Sequence, residues 1–189
     1  MQDLKPALLL FSLFTLLCGG IYPAVVTGIA KAVFPQQADG SFIVDQSGKT
    51  IGSTLIGQPF SDPKYLWSRP SATAGAAYNP LASGSTNAGP TNANYLAIVR
   101  ERVGALRASG VSGPLPAELV QASASGLDPH LSPAAVLLQV PRVARVRGIA
   151  EAQVAAMVAE RTEVRQLGFL GEPRVNVLVL NVELDRLQP

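Results

Sequence analysis

The 189-residue chain has one cysteine and one histidine. Cys18 has no partner for an intrachain disulfide, and a lone histidine, His130, excludes a Cys/His set for structural zinc. Charge is also scarce. Fifteen Lys and Arg stand against thirteen Asp and Glu, 15% of the chain in all, for a net charge of +2. No concentrated basic patch results, which excludes a nucleic-acid partner. A Gly-x-Ser-x-Gly nucleophile elbow is absent. No Gly-Lys-Ser/Thr follows the small-residue stretch Ser83–Pro90, so that stretch is not a phosphate loop.

Hydrophobic length is abundant by contrast. From Pro6 to Ala30 there is no charged side chain, and twelve of these 25 residues are Leu, Ile, Val or Phe. As a helix the run would extend about 37 Å, enough to cross a hydrocarbon core of about 30 Å. The apolar core of a cleaved signal peptide is shorter, and bulky Leu17 before Cys18 excludes a lipoprotein site. Residues 1–31 therefore read as a single transmembrane anchor. Pro23 should kink or loosen it, and Gly19, Gly20 and Gly28 either offer close approach to a second helix or reflect the frequency of glycine in membrane helices. Lys5 on one side and Lys31 with Lys49 on the other barely bias orientation. The reading adopted is N-terminus inside and domain outside.

Residues 32–189 form the second domain. Ser41–Asp45 and Thr50–Ile56 flank a Gln46–Lys49 turn and predict a hairpin. Gly57–Thr91 carries five prolines but also Phe60, Tyr65, Trp67 and Tyr78, which predicts an ordered loop packed by its aromatics. Asn92 is placed to cap a helix over 93–108, with Leu96, Val99, Val103 and Leu106 on one face. Residues 116–122 read as a short helix. Ser132 with Pro133 opens another through Val140, which Pro141 must kink or end. A helix over 150–167 and a final strand over 175–180, buried on both faces, complete an α+β (mixed α/β) fold.

Four stretches offer chemistry. Ser123, Ser125, Gly126, Asp128 and His130 bring serine, aspartate and histidine into eight residues. A catalytic triad normally draws on separate segments, so the segment reads first as a tight turn feeding the helix capped by Ser132. A membrane-anchored envelope hydrolase, or a binding module, is the competing reading. Ser83–Pro90, with Ser85 and Asn87, is either an anion-binding nest or a turn cluster. Trp67 and Arg69 are interface-type residues that serve equally well to pack a loop. Arg100, Arg102 and Arg107, with Arg142, Arg145 and Arg147, are solvated helix faces or a dock for an acidic partner.

Taken together, Gly52–Phe60, Trp67–Ala72, Tyr78-Asn79 ahead of Ser83–Asn92, Ala122–Ser132, Gln139–Arg147 and Gly171–Leu178 resemble a known family. It is the C subunit of the Kdp-type, ATP-driven potassium transporter of bacteria. The likeness covers nearly the whole chain. Ala124, where glycine is expected, and Pro141 are small departures. The resemblance implies a non-catalytic subunit of the bacterial inner membrane. Its implied partners are a potassium-channel-like subunit and a P-type ATPase subunit, with a small membrane subunit as a further candidate. It implies a role in pump assembly and as a catalytic chaperone that raises the ATPase subunit's affinity for ATP. With the domain outside, on the extracytoplasmic side, as the charge count leans, any effect on ATP must be long-range coupling, whereas a domain inside would allow direct contact through Ser123–His130. No cofactor is expected on the chain alone, and ATP only within the complex. Nucleotide contact or docking would then fall to Ser123, Ser125, Gly126, Asp128, His130, Gln139 and Arg142. The partner interface would fall to Trp67, Arg69, Asn79, Ser85, Asn87, Arg174 and Asn176.

Overall fold

A computed structural model describes residues 3–45 and 47–187. Two compact units divide the chain, Met1–Ile51 and Gly52–Pro189. In the first unit, α1 (Leu4–Leu16) and α2 (Tyr22–Val33) are one continuous helix joined through a π-helical turn, Leu17–Ile21. The Tyr22 amide bonds five residues back to the Leu17 carbonyl. This wider turn precedes Pro23, which has no N–H to give and sits at the start of the renewed α-helix. The expected disturbance is therefore taken up as a π turn. Leu4–Val33 is 30 residues long and apolar enough to span a bilayer, and its most apolar stretch has no buried residue. A single turn, α3 (Pro35–Ala38), follows. Then β1 (Phe42–Val44) pairs with β2 (Thr50–Ser53) as the expected hairpin. Asp45 closes it by accepting the amides of Ser47 and Lys49.

The second unit is built on α4 (Ala93–Ala108), β3 (His130–Leu131), α5 (Pro133–Leu137), α6 (Val140–Arg147), α7 (Glu151–Glu160), β4 (Thr162–Glu163), β5 (Arg174–Asn176) and α8 (Val177–Arg186). The three strands form an antiparallel sheet in the order β3-β5-β4, with His130 opposite Asn176 and Glu163 opposite Arg174. Leu66, Leu131, Val136, Val143, Val154, Val175, Leu180 and Leu184 are fully buried in one core. Asn92 caps α4 and Ser132 caps α5 through their side-chain oxygens, as the sequence predicts. The helix expected through Val140 ends earlier, at Leu137. Pro141 neither kinks nor ends it but lies in the first turn of α6, where a missing N–H is harmless, and Gly148 ends that helix at φ 67°. Residues 116–122 contain only a 3-10 turn, Ala117–Leu119.

Two further expected elements are corrected. The strand over 175–180 stops at Asn176 and becomes α8. The Asn176 carboxamide oxygen accepts the Val179 amide at 3.1 Å and so caps a helix. Buried Val177, Leu180, Asn181 and Leu184 recur at helical spacing, and their burial outweighs the strand propensity of the valines. The helix over 150–167 ends at Glu160, because Thr162 and Glu163 pair with β5.

Candidate functional site

The loop over 57–91 is held open and ordered by two polar clamps. The first grips residues 63–67. Gln139 is fully buried, and its carboxamide accepts the Trp67 amide at 2.9 Å and donates to the Trp67 carbonyl at 3.1 Å. Asn181 repeats this on Leu66, at 2.9 Å both ways. Each side-chain amide thus does what a neighbouring strand would do for a buried backbone. Arg142 donates to the carbonyls of Pro63 and Tyr65 and to Gln139, and its guanidinium stacks 4.3 Å from the Trp67 ring. Burial, with Arg145 nearby, pushes the Arg142 pKa down to about 10, so the side chain stays charged at neutral pH. Arg147 reaches the carbonyls of Lys64 and Leu184 and pairs with Asp185 at 2.8 Å.

The second clamp joins residues 69–84 to residues 123–130. Arg69 pairs with Asp128 at 3.0 Å, and the other Asp128 oxygen accepts the His130 amide at 3.0 Å and lies 3.6 Å from its Nδ1. Ser71 donates to the Gly126 carbonyl at 2.7 Å and accepts the Tyr78 amide. The Tyr78 hydroxyl donates to the Arg69 carbonyl, and burial pushes its pKa up to about 12. Ser83 and the Gly84 amide both donate to the Ser125 carbonyl. Ser123 is buried, with its amide on the Pro70 carbonyl. Asn79 binds the Ala74 carbonyl and caps the 3-10 turn at Pro80–Ala82. Beside this clamp lies an open cleft of about 560 Å³, lined by Leu55, Arg69, Ser123, Ser125, Leu127 and Asp128 among others.

Burial pushes the Asp128 carboxyl up, but the hydrogen bonds from His130 and the charge and hydrogen bond of Arg69 bring it below its ordinary value of 3.8. A depressed native pKa contributes stability above the unfolded value, which is lost as pH falls through the native one. Melts of the full chain in detergent should therefore show wild type more stable than Asp128→Asn at neutral pH. The gap should narrow as pH falls below about 4, the ordinary carboxyl value, and through the lower native one. A gap that stays constant across that window would show that the carboxylate charge is not what stabilises the clamp.

No serine hydroxyl among the described residues bonds to His130. The Ser125 hydroxyl accepts the Leu127 amide, which makes a turn, not a nucleophile. Trp67, Arg69, Asn79, Ser123, Ser125, Gly126, Asp128 and His130 are thus brought together around one loop. Gln139 and Arg142 face the Pro63–Trp67 backbone and are turned away from solvent. Ser85 is half-buried, and Asn87 is exposed at φ 48°. Arg174 pairs with Glu163 across the sheet at 2.7 Å, and the Asn176 amide group donates to the Thr54 carbonyl. Two arginines of the earlier helix are loop staples as well, while Arg100 is exposed. Arg102 holds the Val120 carbonyl, and Arg107 holds those of Val111 and Gly113. Sequence reasoning missed Asn181, for which an asparagine among valines and leucines was the available signal. Tyr78, expected to pack the loop, is buried there.

The family model for K+-transporting ATPase, c chain (KdpC) matches residues 4–186. The potassium-transporting ATPase KdpC subunit of Geobacter sulfurreducens is 63% identical over 189 residues, all of both chains. That of Geobacter metallireducens is 62% identical over 189 residues, again all of both chains. The Methylococcus capsulatus subunit is 54% identical over 186 residues, 97% of each chain. On this full-length agreement, the chain belongs to the KdpC family of K+-transporting ATPase subunits.

Proposed function

We propose that this non-catalytic subunit stabilises the assembled potassium pump and raises the ATP affinity of its ATPase subunit without touching nucleotide. One observation carries the reading. In residues 123–130 the Asp128 carboxylate, the Ser125 hydroxyl and the Ser125 and Gly126 carbonyls are engaged inside the chain, and Arg69, Ser71 and Ser83 of the 57–91 loop are among their partners. Such a segment presents a surface to a partner. The Leu4–Val33 helix anchors the subunit in the bacterial inner membrane, with residues 52–189 on the extracytoplasmic side and the potassium-channel-like and P-type ATPase subunits as partners. From that side, an effect on ATP must be a coupling free energy. The subunit binds one state of the pump better than another and shifts the equilibrium between them.

The test compares the pump with and without this chain, by ATP titration and by azido-ATP photolabelling. Removal should weaken apparent ATP affinity by about five- to a hundredfold, the usual range of allosteric coupling. The label should fall on the ATPase subunit alone. Labelling of residues 123–142 would replace coupling by direct contact. Unchanged affinity would leave the chain a purely structural subunit.

A further inference from the structure

The connection between β4 and β5 breaks two local rules at one place. Residues 164–172 form a narrow protrusion closed by the paired amides and carbonyls of Gln166 and Leu170 and by the Arg165–Glu172 ion pair at 2.6 Å. Its tip is Leu167-Gly168-Phe169. Leu167 is 83% exposed, Phe169 69% and Val164 77%. Leu167 also sits at φ 53°, beside Gly168 at φ 83°. Asn or Gly would relieve both the left-handed backbone and the exposed apolar surface, since Leu gains nothing in the isolated chain from either. Where a residue is both strained and exposed, the fold gives way to function.

We propose that this tip is the anchor by which the subunit docks into an apolar cleft on another subunit of the pump. The proposal rests on the accessory-subunit reading above. Its anatomy is that of an interface hot spot, an apolar centre of Val164, Leu167, Phe169 and Leu170 inside a charged rim. The rim is the Arg165–Glu172 and Arg174–Glu163 pairs, which balance in charge. With no excess of positive charge, the tip has no attraction for anionic lipid headgroups. One phenylalanine, worth about 150–250 Å², and three smaller aliphatic side chains fall short of the roughly 800 Å² per partner of a standard interface. Two copies of the chain could not be held by it alone. A tip of this size suits one anchor in a chain already tethered by another element, here the membrane helix, where a modest contact is amplified by effective concentration.

The experiment uses the co-expressed pump in native membranes, with Phe169→p-benzoylphenylalanine as a photo-crosslinker. A crosslink to a pump subunit identified by mass is expected. A crosslink only to a second copy of this chain, or only to lipid, overturns the proposal. In parallel, the double variant Leu167→Asn, Phe169→Ser should recover pump subunits at least about tenfold less well than wild type. The melting midpoint of the purified full-length variant in detergent should hold or rise, because the strain is relieved. Full recovery by the variant overturns the proposal while the accessory-subunit reading stands. Failure of the wild-type chain to recover any pump subunit removes that reading, and the docking inference with it.

Discussion

Asn181→Leu is expected to lower the stability of the full chain by about 3 kcal/mol and its melting midpoint by roughly 10 °C. The side chain is only 1% exposed, and its carboxamide satisfies both backbone groups of Leu66, itself fully buried. Leucine supports the α8 helix at least as well as asparagine does, so propensity does not oppose the change. It strands one donor and one acceptor, each costing about 1–3 kcal/mol when buried without a partner. Gln139→Leu does the same to Trp67, the next residue along. The two carboxamides hold one extended segment, so the effects should not add. Once either is lost, the segment lifts and the second substitution removes less. Denaturant or thermal melts of the two single variants and the double variant check this. Strict additivity would mean that residues 66 and 67 are held independently.

The elements with their own local signals were legible in the sequence. The anchor, the 41–56 hairpin, the Asn92 cap and the Ser132-Pro133 helix start are set by hydrophobic length, turn residues and capping oxygens, all of which act within a few residues. The Val175–Leu180 stretch was misread because valine and leucine runs fit a buried strand and a buried helix alike. Only the asparagine at position 176, acting as a cap, decides between them. The clustering of Trp67, Arg69 and Asp128 could be read as motif recurrence but not as geometry. Arg69 meets Asp128 from 59 residues away, and nothing local to either residue records that pairing. The basic runs were misleading for the same reason. A helical arginine at Arg142 or Arg147 is drawn inward by the orphan carbonyls of a strandless loop, and those carbonyls are invisible until the chain is folded.

The joint between that loop and residues 123–130 depends most on one glycine, and Gly126→Val should release it. Gly126 holds φ 69°, where a side chain alone costs about 1–2 kcal/mol. Here space is also missing. A Cβ would lie 2.7 Å from the Gly84 carbonyl oxygen and close against the Thr73 methyl, and valine adds two further carbons. The Gly84 backbone cannot step aside while its amide is bonded to the Ser125 carbonyl. Either that bond or the Ser71 bond to the Gly126 carbonyl must break. Gly113→Val is the control. It holds φ 83° with no atom within 4 Å of the added carbon, so it reports the backbone strain alone. We expect Gly126→Val to cost about 2 kcal/mol more than Gly113→Val, in line with an overpacked site. Protease should also cut within residues 70–90 of the Gly126 variant under conditions that spare the control. The Gly113 variant should keep its ability to join the pump, whereas the Gly126 variant should lose it together with the shape of the loop. Equal costs and equal cleavage would show that strain, not the fit between the two segments, fixes this joint. Loss of the protected loop with pump assembly intact would move the docking surface away from residues 69–84 altogether.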